Sequence, residues 1–161
     1  MLIEMKVKNL AFDLAKSGAM VFLEEMNGKR VLPIWIGIFE ANAIALELRK
    51  ITTARPMTHD LILNIIKGLG AEATKIVVTE LKENTFYAII HINTKKGAAV
   101  EIDSRPSDAI ALALRVGTPI YVVEDVINKA GHAEETAAEE KPDNFTDWLE
   151  KLDPDDFKYK M

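Results

Sequence analysis

The chain has 161 residues, of which 48% are hydrophobic and 28% charged, and its formal net charge is −5 at pH 7. This length and composition suit one compact domain, and the absence of cysteine excludes a disulfide framework and a thiol nucleophile. The acidic balance argues against a tight, sequence-reading DNA-binding protein, because such proteins need a clustered Lys/Arg surface to neutralise phosphates.

The first third of the sequence predicts three strands and a helix. "LIEMKVKNL" and "AMVFLEEM" have the composition of strands, and Asn27-Gly28 predicts a two-residue hairpin turn into a third strand, "RVLPIWIG". Pro33 cannot donate a hydrogen bond to a neighbouring strand, so we expect the third strand at a sheet edge or an irregularity. A helical pattern, "EANAIALELRK", follows Gly37.

The middle of the sequence predicts two more helices and four more strands. The second helix is "THDLILNIIKGL", with Gly70 as its stop, and "TKIVVTEL" and "TFYAIIHIN" form an antiparallel pair around Glu83-Asn84. "AAVEID" is a strand, "PSDAIALALRV" the third helix and "PIYVV" the last strand. This alternation predicts an α+β (mixed α/β) fold, a layered domain with a mixed, largely antiparallel sheet and three main helices.

Two helical segments are similar to each other. "AIALELR" (43–49) and "AIALALR" (109–115) match at six of seven positions, and each follows a predicted strand. Short Ala/Leu-rich helices also converge by chance, so two readings stay open. If the repeat is real, it predicts an internal β-α duplication with two β–α–β-like halves around a pseudo-symmetric junction.

The charge is concentrated in the C-terminal part of the chain. Residues 127–161 contain ten acidic and five basic residues, whereas residues 1–126 contain fifteen of each. We predict a main domain over 1–129, an acidic flexible linker over 130–143, and a short C-terminal amphipathic helix and tail over 144–161. The apolar stripe of this last helix should dock on another surface, and a homodimer is the expected assembly.

No targeting or membrane-spanning pattern is present. The N-terminal "MLIEMKVKNLAFD" mixes charged and apolar residues, unlike a signal peptide, and no apolar run is long enough to cross a bilayer. We therefore expect a cytoplasmic protein that does not bind membranes. The absence of glutamine beside abundant Lys and Glu predicts heat stability.

Two segments share the order Arg-Pro, hydroxyl residue, aspartate and apolar helix: "RPMTHDLIL" and "RPSDAIALAL". Helix initiation explains most of this pattern, because Thr58 and Ser107 can cap a helix while Asp60 and Asp108 favour the positive end of its dipole. Helix initiation does not require the arginines of the two segments or the histidine of the first. These remaining residues are Arg55, Arg105 and His59.

Several polar side chains are predicted at strand ends and helix starts, where α/β layers usually place sites. The carboxylates are Glu40, Asp60, Asp103 and Asp108. With His59 they supply hard oxygen ligands and one imidazole, a set that suits Mg²⁺ or Mn²⁺. Such ions support phosphodiester cleavage, and Arg55 and Arg105 would hold the phosphate oxygens. The structural alternatives are a buried hydrogen-bonded histidine, helix caps, and arginine ion pairs with neighbouring carboxylates.

Four motifs occur together in this order: "LPIWIGIFEANAIALEL", "RPMTHDLILNII", "IDSRPSDAIALALR" and "PIYV". With them the chain resembles the bifunctional nuclease domain family over about residues 1–126, and the "FTDWLEKLDPDDF" tail is similar as well. The resemblance implies a compact mixed domain with nuclease activity on both DNA and RNA. Many relatives add a UvrB/UvrC-type helical motif, and we expect any partner contact made by that motif to be missing here.

Two functions follow as hypotheses. The first is a divalent-metal-dependent nuclease with weak, non-specific nucleic-acid binding. In it His59, Asp60 and Asp108 are catalytic, Arg55, Arg105, Thr58 and Ser107 bind substrate, and Glu40, Asp60, Asp103 and Asp108 bind the metal. The second is a non-enzymatic regulatory or adaptor domain that binds an anionic ligand or a protein partner. Overall acidity favours the second, and the motif carboxylates and the resemblance favour the first.

Overall fold

The structure is a computed structural model, and it describes residues 1–13 and 15–131 of the chain. Most of the predicted linker and the whole predicted C-terminal segment, 144–161, lie outside the described residues. Within the described part the chain forms seven strands and four helices. The strands are β1 (Leu2–Asp13), β2 (Gly18–Glu25), β3 (Val31–Gly37), β4 (Glu72–Lys82), β5 (Thr85–Asn93), β6 (Ala99–Ser104) and β7 (Ile120–Val123). The helices are α1 (Ile38–Leu48), α2 (Thr58–Gly68), α3 (Pro106–Val116) and α4 (Glu124–Ala130).

All seven strands belong to one sheet, in the order β3-β2-β1-β7-β4-β5-β6. Neighbouring strands are antiparallel except β4 and β7, which run parallel. The predicted α+β class with a mixed, largely antiparallel sheet is therefore confirmed. Pro33 lies in β3, which is an edge strand of the sheet, as its missing N–H group requires.

The sheet consists of two similar halves joined by β7. In each half a three-stranded antiparallel meander is followed by a helix: β1-β2-β3 by α1, and β4-β5-β6 by α3. The repeated heptapeptides lie in these two helices, which pack against each other. The repeating unit is thus a βββα meander, larger than the β–α–β-like half predicted from the sequence.

The core lies between the sheet and the α1–α3 pair. Both copies of the Ala-Ile-Ala-Leu segment are buried, and the small alanine side chains let the two helices approach closely. Ile44 of α1 and Ile110 of α3 are fully buried, together with Leu23, Val78 and Val122 of the sheet. This packing fixes α1 and α3 side by side, so their first turns have a defined relative position.

Two local features differ from the sequence-based predictions. The prediction of a two-residue turn at Asn27-Gly28 is wrong. Glu25 N–H donates to the Arg30 carbonyl, so the loop between β2 and β3 is four residues long. The reason is that Met26 N–H donates to the Glu4 carbonyl of β1 and leaves the β2–β3 ladder. The second difference is the short helix α4, which was not predicted as a fourth helix. Among residues 1–13 and 15–131, no helix has the length and apolar character needed to cross a bilayer.

Candidate functional site

Each of the three long helices has an acidic residue at its third position. These residues are Glu40 in α1, Asp60 in α2 and Asp108 in α3. A carboxylate in the first turn is stabilised by the helix dipole and by free backbone N–H groups, so this placement alone is ordinary. Because α3 packs against both α1 and α2, contacts between the three first turns become possible.

The prediction that Thr58 and Ser107 cap these helices is wrong. The N-cap residues are Met57 and Arg105, both with extended backbones, and neither makes a side-chain capping hydrogen bond. Thr58 is the first residue of α2 and Ser107 the second of α3. Pro106 occupies the first position of α3, where a missing N–H costs nothing, and this places the helix start before Ser107.

Four side chains from the three helix starts form one hydrogen-bonded chain, which we call the arginine–carboxylate cluster: Glu40, His59, Arg105 and Asp108. His59 Nε2 lies 2.9 Å from Asp108 Oδ1. Arg105 Nε donates to Asp108 Oδ2 at 2.7 Å, and its Nη2 donates to Glu40 Oε1 at 2.9 Å. The sequence predicted all four as site residues, and the structure brings them together.

The cluster has a buried end and an exposed end. His59 is only 6% exposed, whereas 65% of the Arg105 side chain is exposed. Burial by itself raises the pKa of the Asp108 carboxyl, but the hydrogen bonds from Arg105 and His59 outweigh it and hold that pKa below its usual value. The same contacts with Asp108 and Glu40 raise the pKa of Arg105. Because an ionised carboxylate only accepts hydrogen bonds, His59 Nε2 donates to Asp108.

Asp60 belongs to a second, adjacent group of polar contacts. Its Oδ2 accepts the Met57 N–H at 2.8 Å, and its Oδ1 accepts Arg115 Nε at 2.7 Å. The Arg115 side chain is only 5% exposed and also donates to the carbonyls of Ala111 in α3 and Ala43 in α1. Arg115 therefore ties all three helices together, and both oxygens of Asp60 are used within the fold.

Arg115 was not predicted as a site residue. It occupies the same position of the repeated heptapeptide as Arg49, which is exposed. The sequence signal that could have identified it is its place in the last turn of α3, directly after the apolar run 109–114, where a cation is expected to need acceptors from the surrounding fold.

The predicted metal-binding carboxylates do not form a shared oxygen cage. Glu40 and Asp108 each bind Arg105, Asp60 binds Arg115, and Asp103 lies exposed on β6. Within residues 1–13 and 15–131, no group of three His, Cys, Asp or Glu side chains is arranged to hold a metal ion. As they stand, these residues fit arginine better than Mg²⁺ or Mn²⁺, so metal binding stays a prediction from the sequence.

The other predicted substrate-binding residues lie at different depths. Thr58 is exposed, whereas Ser107 is only 5% exposed. Arg55 is exposed and borders a cleft of about 300 Å³ that Asp60 and Arg115 also line. Because His59 and Asp60 are consecutive in α2, this cleft and the arginine–carboxylate cluster meet at the same helix turn.

Comparison with known proteins gives a consistent family match. The family model of the bifunctional nuclease domain matches residues 21–135 of this chain. An uncharacterised protein of Mycobacterium tuberculosis is 38% identical over 164 residues, which cover 96% of this chain and 98% of that protein.

Plant proteins are more distant relatives. Bifunctional nuclease 2 of Arabidopsis thaliana is 26% identical over 110 residues, which cover 67% of this chain and 33% of the plant protein. Bifunctional nuclease 1 of Oryza sativa subsp. japonica is 25% identical over 112 residues, with 68% and 34% covered. About two thirds of this chain thus matches about a third of each of these plant proteins.

Proposed function

The chain belongs to the bifunctional nuclease domain family, and we therefore propose that it is a nuclease that cleaves DNA and RNA with little sequence selectivity. The names of the plant relatives support the reaction type. The observation that carries the proposal is the exposed guanidinium of Arg105, which Asp108 and Glu40 hold in one orientation. A fixed arginine fork binds a phosphate in a defined position.

Arg105 holds the phosphodiester in this proposal. It has five N–H donors, and one bond to Asp108 and one to Glu40 leave three for phosphate oxygens. The two carboxylates restrict the motion of the guanidinium, so the Arg105 side chain loses less conformational entropy when it binds a phosphate than a mobile arginine would. Arg55, at the edge of the adjacent cleft, contacts a neighbouring phosphate.

His59 and Asp108 provide the proton-transfer pair. With Nε2 donating to Asp108, the other ring nitrogen of a neutral His59 is free to accept a proton. A carboxylate that fixes one imidazole tautomer is a common arrangement for acid–base catalysis. Asp60 has both oxygens in use, so its proposed contribution is to position His59, its neighbour in α2.

The test is cleavage of fluorescent DNA and RNA oligonucleotides by the full chain, with Mg²⁺, with Mn²⁺ and with EDTA. Wild type should cleave both substrates, and Arg105→Ala and Asp108→Asn should each lose activity by about 100-fold or more. Arg49→Ala, which changes an exposed arginine outside the cluster, should keep wild-type activity. Inhibition by EDTA would support the predicted metal dependence, and full activity in EDTA would contradict it.

A second candidate is a non-enzymatic regulatory or adaptor domain that binds an anionic ligand or a protein partner. It is favoured by the pairing of Glu40, Asp60 and Asp108 with arginines, since carboxylates that are paired in this way are not arranged around a metal ion. The exposed Arg105 can bind an anion in such a domain without any turnover. Phosphate or oligonucleotide binding without cleavage at any metal concentration would support this candidate over the nuclease. Wild-type activity in Arg105→Ala would instead show that the site is elsewhere.

We also propose that the chain assembles as a homodimer through α2. Leu61, Ile65 and Leu69 recur every four residues at α2 and its C-cap, and are 52%, 52% and 75% exposed. Such a stripe is more apolar than a monomer's helix surface normally is. Two antiparallel copies of α2 would also place the positive N-terminal end of one helix dipole beside the negative C-terminal end of the other. Heat stability and a cytoplasmic location stay predictions from the sequence.

A further inference from the structure

The cleft beside α2 has walls from three parts of the chain. The end of α1 contributes Leu46 and Glu47, the segment 51–56 contributes most of the rim, and the Asp60–Arg115 ion pair closes one side. Its volume of about 300 Å³ is at the lower end of the range for small-molecule pockets. The arginine–carboxylate cluster lies one residue away along α2, at His59.

Local hydrogen bonds fix these walls. Lys50 has a left-handed backbone with φ of 55°, and Ile51 N–H donates to the Leu46 carbonyl at 2.9 Å, which ends α1 and places Ile51 in the cleft wall. Thr53 Oγ1 donates to the Arg55 carbonyl at 2.7 Å and closes the next turn. Hydrogen bonds within segment 46–55 therefore hold the cleft walls in place.

The charges that line the cleft are balanced, with one cation available. The lining contains two acids, Glu47 and Asp60, and two arginines, Arg55 and Arg115. The Arg115 guanidinium already donates to three acceptors, as described above. The side chain of Arg55 forms no hydrogen bond or ion pair with any described residue of the chain, so its donors are free to bind an anion.

We propose that this cleft is a nucleotide subsite: Arg55 binds the phosphate of a nucleotide whose base enters between Leu46, Ile51 and Ala54. The apolar walls suit the faces of a nucleobase, and Glu47 and Thr52 offer hydrogen-bonding groups to its edge. The inference rests on the proposed nuclease function, because it places a nucleotide next to the phosphodiester held at Arg105. Since a base must leave its stack to enter, the substrate class is single-stranded nucleic acid.

The test is the affinity of the full chain, without added metal, for AMP, adenosine and inorganic phosphate, measured by isothermal titration calorimetry. AMP should bind more tightly than either fragment. Arg55→Ala should weaken AMP by about tenfold or more and leave adenosine within about twofold. Ala54→Trp, which fills the cleft from an exposed position, should weaken both AMP and adenosine. Lys82→Ala, which removes an exposed cation of β4 outside the cleft and outside α2, is the matched control.

The outcomes separate this subsite from the nuclease proposal. AMP binding that Ala54→Trp removes, in a protein that cleaves no nucleic acid, supports the subsite and contradicts the nuclease. Active cleavage with unchanged AMP affinity and unchanged KM in both cleft variants overturns the subsite and leaves the nuclease. Equal affinity for phosphate and AMP, with no effect of Ala54→Trp, shows an anion site without a base pocket and also overturns it.

Discussion

The carboxylate of Asp108 is hydrogen-bonded on both oxygens, to His59 on one and to Arg105 on the other. It also sits in the first turn of α3, where the helix dipole favours a negative charge. Helix initiation and site formation are therefore not alternatives at this position. The Asp108 side chain lies at the helix start and also joins the arginine–carboxylate cluster, which is why the sequence pattern alone could not separate the two interpretations.

The lowered pKa of Asp108 makes its contribution to stability dependent on pH. A carboxyl whose folded pKa lies below its unfolded pKa stabilises the fold fully above the unfolded value, near 3.9, and loses this effect as pH falls through the folded value. We expect Asp108→Asn to be less stable than wild type at pH 7, and the difference to shrink below about pH 4. Urea unfolding of both proteins from pH 7 to pH 3 measures it. A difference that stays constant over this range would contradict the assignment.

The helix-start pattern left three residues unexplained, and the structure brings two of them into one cluster, while their function stays a prediction. Arg105 and His59 are not needed to begin a helix, and both lie in the arginine–carboxylate cluster. The sequence alone does not show which carboxylate each arginine would pair with. Arg105 binds Glu40, 65 positions away, and Arg115 binds Asp60, 55 positions away, and such partners depend on the packing of whole helices.

At the scale of the helices, Arg115 is the side chain that joins α1, α2 and α3. We expect Arg115→Met to lower the free energy of unfolding by about 2–4 kcal/mol, because it leaves Asp60 without its partner and removes the bonds that join Arg115 to the carbonyls of Ala111 and Ala43. The figure is below that of a fully buried pair, since the Asp60 side chain is 35% exposed. Denaturant unfolding measures the change.

The repeat supplies the control for this experiment. Arg49 is the equivalent position in α1, but it is exposed, so Arg49→Met should change stability by less than about 0.5 kcal/mol. Adding Asp60→Asn to Arg115→Met should recover part of the loss, because no unpaired charge is then left. Equal effects at Arg49 and Arg115 would show that Arg115 does not join the helices as described.

Most element positions could be predicted from hydrophobic periodicity and from turn residues, whereas two local features could not. The Glu83-Asn84 turn has the positive φ values of a two-residue hairpin turn, as expected between β4 and β5. The turn after β2 is longer because β1, a distant segment, binds Met26 N–H. Helix α4 is short and stabilised by packing on the sheet, so its own sequence carries little periodicity.

At the scale of the whole molecule, the exposed stripe of α2 predicts the assembly. Ile65→Glu should convert a wild-type dimer into a monomer, because a charge in the middle of the stripe would be buried on association. Sedimentation equilibrium measures the mass, and Met26→Glu, at an exposed apolar residue away from α2, is the control.

A wild-type protein that stays monomeric at high concentration would contradict the dimer. If both variants lost association, the contact could not be assigned to α2.

The position of β7 has a consequence for synthesis of the chain. This strand joins the two meanders, pairing with β1 on one side and β4 on the other, yet it is the last of the seven described strands to leave the ribosome. The Met1 carbonyl accepts the Glu124 N–H, so even the first residue reaches its place only after residue 124 has emerged. A nascent chain halted at Gly117 would carry two unjoined meanders with open edges, and such edges bind chaperones or one another until translation resumes.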